Sequence, residues 1–369
     1  LTFDQNFKFL IPLTIILIPG FLALFYALVA YLFAVLKPKK NLSSFFLFSL
    51  IFGILEFIRG SILTGFPWNL IAYSFSNQIE ILYITSIIGT YSFNLFCISL
   101  FISPALFILK ESKKDNIVPV FFITTTLIFY FYGFLNIQKF NKIEVKNNEY
   151  KFRVIGSNIS LDRFYSDLDP ISVVKDLIEI SQPSKDEKTI FVWPEGILPK
   201  ISQKQLIDYN WLFKERFNDN HLLIIGINSL DEVDKKTKYF NTFSLYDHNL
   251  NLINSYSKIK LVPFGEFLPY EKIFKILGLK SLTNNYQSYT KGQIRDFIDI
   301  DQKKFSFKIL PLICYEIIYT GKIFEDPNFD IIINISEDGW FGQSIGPKQH
   351  FIHSIYRAIE SGKYVLRSS

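Results

Sequence analysis

The chain has 369 residues, 49% of them hydrophobic and 17% aromatic, with 40 Phe, 20 Tyr and a mean hydropathy of +0.22. A soluble domain cannot hide that much aromatic surface, so the composition excludes a disordered or collagen-like chain and predicts a membrane portion. The net charge of +5 is scattered rather than gathered into a basic, aromatic-interleaved stripe, which argues against nucleic acid as a partner, and two cysteines, Cys97 and Cys314, cannot build a disulfide framework.

The first 140 or so residues are nearly all apolar and the remainder carries most of the charge, so two domains are expected, 1–140 and 150–369. Residues 9–36 form an uncharged run longer than the roughly 20 residues that span a hydrocarbon core of about 30 Å, with a kink expected at Pro19-Gly20. Further spans are predicted at 44–63, 79–109 and 117–137, which makes four. Lys37, Lys39 and Lys40 lie between the first and second spans, and Lys110, Lys113 and Lys114 between the third and fourth, whereas the 64–78 loop has no Lys or Arg. By the positive-inside rule both lysine loops are cytoplasmic. Four alternating spans then place everything after residue 140 on the outer face, the periplasm of a bacterium with two membranes.

Glu56 and Arg59 stand one helical turn apart in the second span, where they are expected to neutralise each other on a face turned to protein or water. The loop Thr64-Gly65-Phe66-Pro67-Trp68 reads either as an interfacial aromatic anchor or as a lipid-substrate site at that depth.

From about residue 150 the pattern changes to short β-branched runs separated by amphipathic helices: YKFRVIGSNI, a helix over 170–182, KTIFVWPEG, HLLIIGINS, FNTFSLYD, FSFKILPLICYE and DIIINISED. Such alternation predicts an α/β sheet buried on both faces. Chemistry in these sheets collects where strands end, and the polar residues placed there are Glu195, Lys258, Lys260, Glu266, Cys314, Tyr315 and Glu316. Carboxylate, amine and thiol are what acyl transfer requires where no His is at hand. The thiolate attacks a carbonyl, the carboxylate takes and returns a proton, and the amine stabilises the oxyanion. Each residue also has a structural reading: Cys314 as a small buried hydrophobe, Glu195 as a turn former, Lys258 and Lys260 as surface charges on one strand face.

Taken together and in order, WPEG at 193–196, YSKIKLVPFGE at 256–266 and ICYEI at 313–317 resemble the carbon-nitrogen hydrolase (nitrilase) superfamily. With LEFIRGSILTGFPW at 55–68 and DGWFGQSIGPKQH at 338–350, the resemblance narrows to the apolipoprotein N-acyltransferase family and covers nearly the whole chain. It implies a helical membrane bundle carrying a nitrilase-like α-β-β-α sandwich on the periplasmic side of the bacterial inner membrane. It further implies Glu195 as general base, Lys258 rather than Lys260 as the catalytic lysine, and Cys314 as a nucleophile that becomes a thioester. Glu266, Tyr315 and Glu316 match supporting positions, and Trp193, Phe164 and Trp340 are candidate substrate contacts. Phe164 stands where the family has Trp, and Glu337 stands where it has Asn. The implied donor is a phospholipid, the acceptor a diacylglyceryl-lipoprotein, and no metal or organic cofactor is called for. The family has further spans and continues past residue 369; with no Met even at position 1, the chain reads as part of a longer one.

Other readings share these residues. A membrane-tethered amidase or nitrilase would use the same groups with water, and a non-catalytic membrane receptor could retain the fold. Gly342-Gln343-Ser344-Ile345-Gly346 fits G-x-S-x-G, a serine hydrolase elbow that demands a strand before the Ser. His350 and His353 are a zinc-like pair without HExxH.

Overall fold

The computed structural model describes residues 11–36, 38–109, 111–143, 150–156, 159–165, 169–233, 236–270, 288–302, 304–321, 323 and 328–369. It separates into two compact units, Leu1–Ile143 and Glu144–Ser369. Residues 9 and 10 of the expected first span, Lys37 and Lys110 of the lysine loops, and Ser157 and Asn158 of the first expected strand lie outside the described residues.

In the first unit, α1 (Ile11–Leu36) carries Pro19 within it, followed by α2 (Asn41–Arg59), α3 (Ile79–Leu82), α4 (Thr85–Ile102), α5 (Ala105–Ile108) and α6 (Ile117–Asn141). Four stretches are long and apolar enough to cross a membrane: Ile15–Leu36, Asn41–Arg59, Thr85–Ile108 and Lys113–Asn141. Side chains such as Ile16, 70% exposed, turn large apolar surface outward, which suits a hydrocarbon surround. The expected single span at 79–109 is instead α3, α4 and α5 in series. Gly89 interrupts α4 with φ 73°, and Pro104, which lacks an N–H, stands at the head of α5.

Glu56 and Arg59 are both buried and paired, with Arg59 Nη2 3.0 Å from Glu56 Oε1. Tyr26 donates its phenol to the same carboxylate oxygen at 3.1 Å. Arg59 Nη1 donates to the Phe66 carbonyl at 2.8 Å, so the pair also anchors the loop that follows α2, where the rings of Phe66 and Trp68 stack 6.2 Å apart.

The second unit holds two sheets. The first comprises β1 (Lys151–Val154), β2 (Thr189–Val192), β3 (His221–Val233), β4 (Lys236–Asp247) and β5 (Leu252–Ser257) in spatial order β1-β2-β3-β4-β5. The second comprises β6 (Ile298–Gln302), β7 (Phe305–Ile313), β8 (Ile331–Ile335) and β9 (Tyr364–Ser368), also in chain order. Strands β1, β2 and β3 run parallel, as do β7, β8 and β9; the β3–β4, β4–β5 and β6–β7 pairs are antiparallel.

Period-two alternation sorts the side chains. Ile190, Val192, Leu222 and Ile224 point inward to meet Ile309, Ile313, Ile333 and Ile335 of the second sheet. Phe191, Leu223 and Ile225 point outward to α7 (Pro170–Ser181) and α8 (Asn210–Lys214). Helix α9 (Gly346–Ser361) packs against β9 and the turn after β7. The architecture is therefore an α-β-β-α sandwich, two sheets face to face, as the resemblance implies. Edge strands β6 and β9 escape the strand pattern of the sequence because they are half-exposed and carry charge.

In the first unit α3 and α6 meet at Gly133, where a Cβ would lie 1.9 Å from the Glu80 carbonyl oxygen. Backbone cannot yield as a side chain can, so Gly133→Ala is expected to destabilise the protein by about 1–3 kcal/mol, read as a lowered midpoint in thermal unfolding of the detergent-solubilised chain.

Candidate active site

Glu195 sits on the turn that leaves β2 and is buried. The turn lies so close to β3 that a Cβ on Gly226 would fall 2.5 Å from the Glu195 Cα and 2.5 Å from the Pro194 carbonyl oxygen, so glycine is required there. Glu195 Oε1 accepts from Asn241 Nδ2 at 2.7 Å and from Lys258 Nζ at 3.1 Å, and Oε2 accepts from the Glu337 backbone N–H at 3.1 Å.

Lys258 is the first residue after β5, not a member of a strand face, and it is 1% exposed. Its backbone is fastened on both sides: the N–H donates to the Asn241 carbonyl and the carbonyl accepts from Gly292, each at 2.9 Å. Its ammonium donates to Glu195 and, at 2.9 Å, to Glu266 Oε1, and Asn241 Nδ2 also reaches Glu266 Oε1 at 2.9 Å. Burial alone would lower the lysine pKa, but the two carboxylates outweigh it and hold the amine well above its ordinary value. Lys260 goes elsewhere: its amine lies 5.2 Å from the Tyr319 ring centre. Only Lys258 joins the carboxylates among the described residues.

Cys314 follows the last residue of β7 and opens a short 3₁₀ turn, with φ 48°. A non-glycine residue in this left-handed region costs of order 1–3 kcal/mol, so the surroundings must impose it. Burial and the nearby Glu195 charge push the thiol up to about 12, against the smaller opposing effects of Lys258 and the Ser336 hydroxyl. The group is therefore held as a thiol near neutral pH, a point that residue types alone leave open. Burial also pushes Tyr315, the next residue, up to about 12, so it stays a phenol.

Glu316 is completely buried and is the fastening of the site. Its Oε1 accepts from the Tyr256 phenol at 2.7 Å, the Ile259 and Lys260 N–H groups at 3.0 Å each and Arg295 Nη2 at 2.9 Å; its Oε2 accepts from the Ile313 N–H at 3.0 Å. One carboxylate thus ties the segment after Lys258 to the backbone just before Cys314.

Of the aromatic candidates, Phe164 and Trp340 meet with ring centres 4.9 Å apart, and Trp340 remains 41% exposed. Trp193 is a correction: it is fully buried among the core side chains of the first sheet and donates its indole N–H to Ser181 Oγ at 2.9 Å, so it is unavailable to a substrate. Alternation explains this, since it continues the outward face of β2 begun by Phe191. The departing Glu337 pairs with the buried Arg163, next to Phe164. Burial raises the Glu337 pKa, and Arg163 works the other way.

The serine elbow is overturned. Ser344 is exposed and is preceded by a 3₁₀ turn, Asp338–Phe341, rather than by a strand. His350 and His353 lie buried on α9, and no group of three or more His, Cys, Asp or Glu among the described residues could hold a metal. Sequence reasoning missed Asn241, Gly226, Tyr256 and Arg295. Asn241, a lone amide inside the apolar run of β4, was the one legible signal; the others depend on strand pairing and loop paths.

Two outcomes follow. Glu316→Gln sets an amide among the buried N–H groups of Ile259, Lys260 and Ile313 and takes the countercharge from the part-buried Arg295, and is expected to cost about 1–3 kcal/mol in chemical unfolding. Alkylation of Cys314 by iodoacetamide, followed by peptide mass spectrometry, is expected to accelerate steadily from about pH 7 to about pH 10 without a plateau, because the thiolate fraction keeps rising there. A plateau near neutrality would contradict the resting thiol.

Residues 215–369 match the carbon-nitrogen hydrolase family, and residues 2–103 match the apolipoprotein N-acyltransferase N-terminal domain. A protein of Wigglesworthia glossinidia brevipalpis named apolipoprotein N-acyltransferase is 33% identical over 96% of this chain and 69% of its own length. One of the same name from Bradyrhizobium diazoefficiens is 28% identical over 98% of this chain and 69% of its own. Among solved structures, Saccharomyces cerevisiae Nit3, a member of the nitrilase superfamily, is similar at 15% identity and a TM-score of 0.36, covering 58% of this chain and 74% of that one. The chain belongs to the apolipoprotein N-acyltransferase family.

Proposed function

We propose that this membrane protein transfers an acyl chain from a phospholipid, through a thioester on Cys314, to the α-amino group of the N-terminal diacylglyceryl-cysteine of a lipoprotein. The observation that carries this reading is the Lys258 ammonium, buried between Glu195 and Glu266 and close enough to the Cys314 thiol for both Lys258 and Glu195 to act on it electrostatically.

The chemistry runs in two halves. Cys314 Sγ attacks the ester carbonyl of the lipid as Glu195 takes the thiol proton, which suits a thiol that does not ionise on its own. The oxyanion that develops is stabilised by the Lys258 charge and the Tyr315 backbone N–H. Glu195 then protonates the departing lysophospholipid alcohol, leaving the thioester. In the second half the amine attacks the thioester, Glu195 accepts its proton, and the sulfur leaves and regains a proton. No step calls on a metal or organic cofactor.

Glu266 and Asn241 keep Lys258 and Glu195 in register, and Glu316 holds the chain on either side of the site. Phe164 and the exposed Trp340 offer apolar surface to the substrate beside Glu195. Lys39, Lys40, Lys113 and Lys114 between apolar spans support a cytoplasmic side for those loops, and with it a bacterial inner-membrane protein whose second unit faces the periplasm.

The test is the intact mass of the full-length protein after incubation with phospholipid, before and after neutral hydroxylamine. An added acyl mass that hydroxylamine removes, absent from Cys314→Ala, is the expected outcome, and Glu195→Gln should slow its appearance about 10²–10⁴-fold. Lipid turnover by Cys314→Ala at the parent rate would refute the nucleophile.

A further inference from the structure

We infer that His350 is a positioning residue for the acylation step, holding Cys314 in its left-handed backbone conformation through a hydrogen bond to the Cys314 carbonyl. The inference rests on Cys314 being the nucleophile, as proposed above.

The Cys314 carbonyl faces His350 Nε2 at 3.2 Å and Asn334 Nδ2 at 3.4 Å. His350 comes from α9, Asn334 from β8, and both are fully buried. Behind them Arg367 of β9 closes a ring: its Nη1 donates to Asn334 Oδ1, and its Nη2 lies 2.7 Å from each Asp338 oxygen and 2.8 Å from His350 Nδ1. Asp338 Oδ1 also lies 2.9 Å from His350 Nδ1 and accepts from Ser336 Oγ at 2.7 Å, and Ser336 in turn bonds the Cys314 side chain. Both ends of the nucleophilic residue, carbonyl and thiol, are thus wired to one Asp338–Arg367 pair.

A carbonyl oxygen brings no hydrogen, so the contact at Nε2 is a bond only if that nitrogen carries the proton. A neutral ring protonated there leaves Nδ1 as an acceptor, and the Arg367 Nη2 donor is placed to meet it. Burial, reinforced by the Arg367 charge against the pull of Asp338, holds the His350 pKa below its ordinary value. Arg367 Nη2 can donate to Nδ1 of the neutral ring and Asp338 Oδ1 can accept from Nδ1 of the protonated ring, and in both states Nε2 keeps the N–H that meets the Cys314 carbonyl. Removing that donor frees the Cys314 peptide to leave φ 48° and swings Sγ away from the line of attack.

The experiment uses the full-length protein with phosphatidylethanolamine vesicles and follows single-turnover acyl-enzyme formation at several lipid concentrations. His350→Leu is expected to lower the acylation rate constant about 10–100-fold with the lipid KM unchanged. His350→Gln, whose amide nitrogen can reach the same carbonyl, is expected to recover most of that loss. Thermal unfolding of each variant is recorded alongside. Wild-type acylation by His350→Leu would overturn the inference, as would equal losses in Leu and Gln variants that track their lowered unfolding midpoints. The Cys314→Ala protein separates the two levels: an acyl adduct on it would remove the nucleophile itself, whereas a dead Cys314→Ala beside a fully active His350→Leu would sink only the role of His350.

Discussion

A lysine ammonium out of reach of water has to be answered by negative charge, and around Lys258 that requirement organises the site. Desolvating a single ammonium costs several kcal/mol, more than any one neutral contact returns, so the amine is charged only because Glu195 and Glu266 both reach it. Those two carboxylates come from different loops, one after β2 and one after β5. The amine is the point through which they are held together, with Asn241 bridging them a second time. The same charges reach Cys314, where burial first and then Glu195 push the thiol up and Lys258 partly relieves it. In the mechanism proposed above, the carboxylate that helps raise the thiol pKa is also the base, which links deprotonation to the moment of attack.

The second constraint is covalent geometry at Cys314. The chain turns sharply at the end of the buried strand β7, and the turn places the Cys314 φ in a region that L residues avoid. Nothing local in Ile313-Cys314-Tyr315 favours it. Glu316 pins the N–H before the turn, and His350 and Asn334 lie against the carbonyl within it, so the second sheet and α9 supply the restraint. Because Glu316 also binds the backbone of Ile259 and Lys260, the position of Cys314 and the path of the chain after the lysine are set by one group.

Much of this was legible along the chain. The apolar runs marked the membrane helices, since a hydrocarbon core imposes length and composition directly. Strand ends marked Glu195, Lys258 and Cys314, because charge and thiol at the close of apolar β runs stand out. Other features were not legible. Trp193 looked like a pocket aromatic beside Glu195, yet alternation along β2 turns it into the core, where it bonds Ser181. Asn241, Arg295 and Tyr256 carry no local pattern, and their partners are distant in sequence. The kink within α4 and the start of α5 were written in Gly89 and Pro104 but masked by the hydropathy around them.

Sequence by itself determined the division into an apolar and a polar half, the α/β character of the latter and the residue types available for acyl transfer, because each follows from local composition and short-range periodicity. Tertiary structure alone decided that two carboxylates meet on one buried ammonium, that burial pushes the Cys314 thiol up, that Glu337 is paired with Arg163, and that His350 faces the Cys314 carbonyl. The physical reason is range. Burial, charge proximity and hydrogen-bond partnership depend on residues that lie tens to hundreds of positions apart along the chain, and only the packing of one sheet against the other brings them within reach.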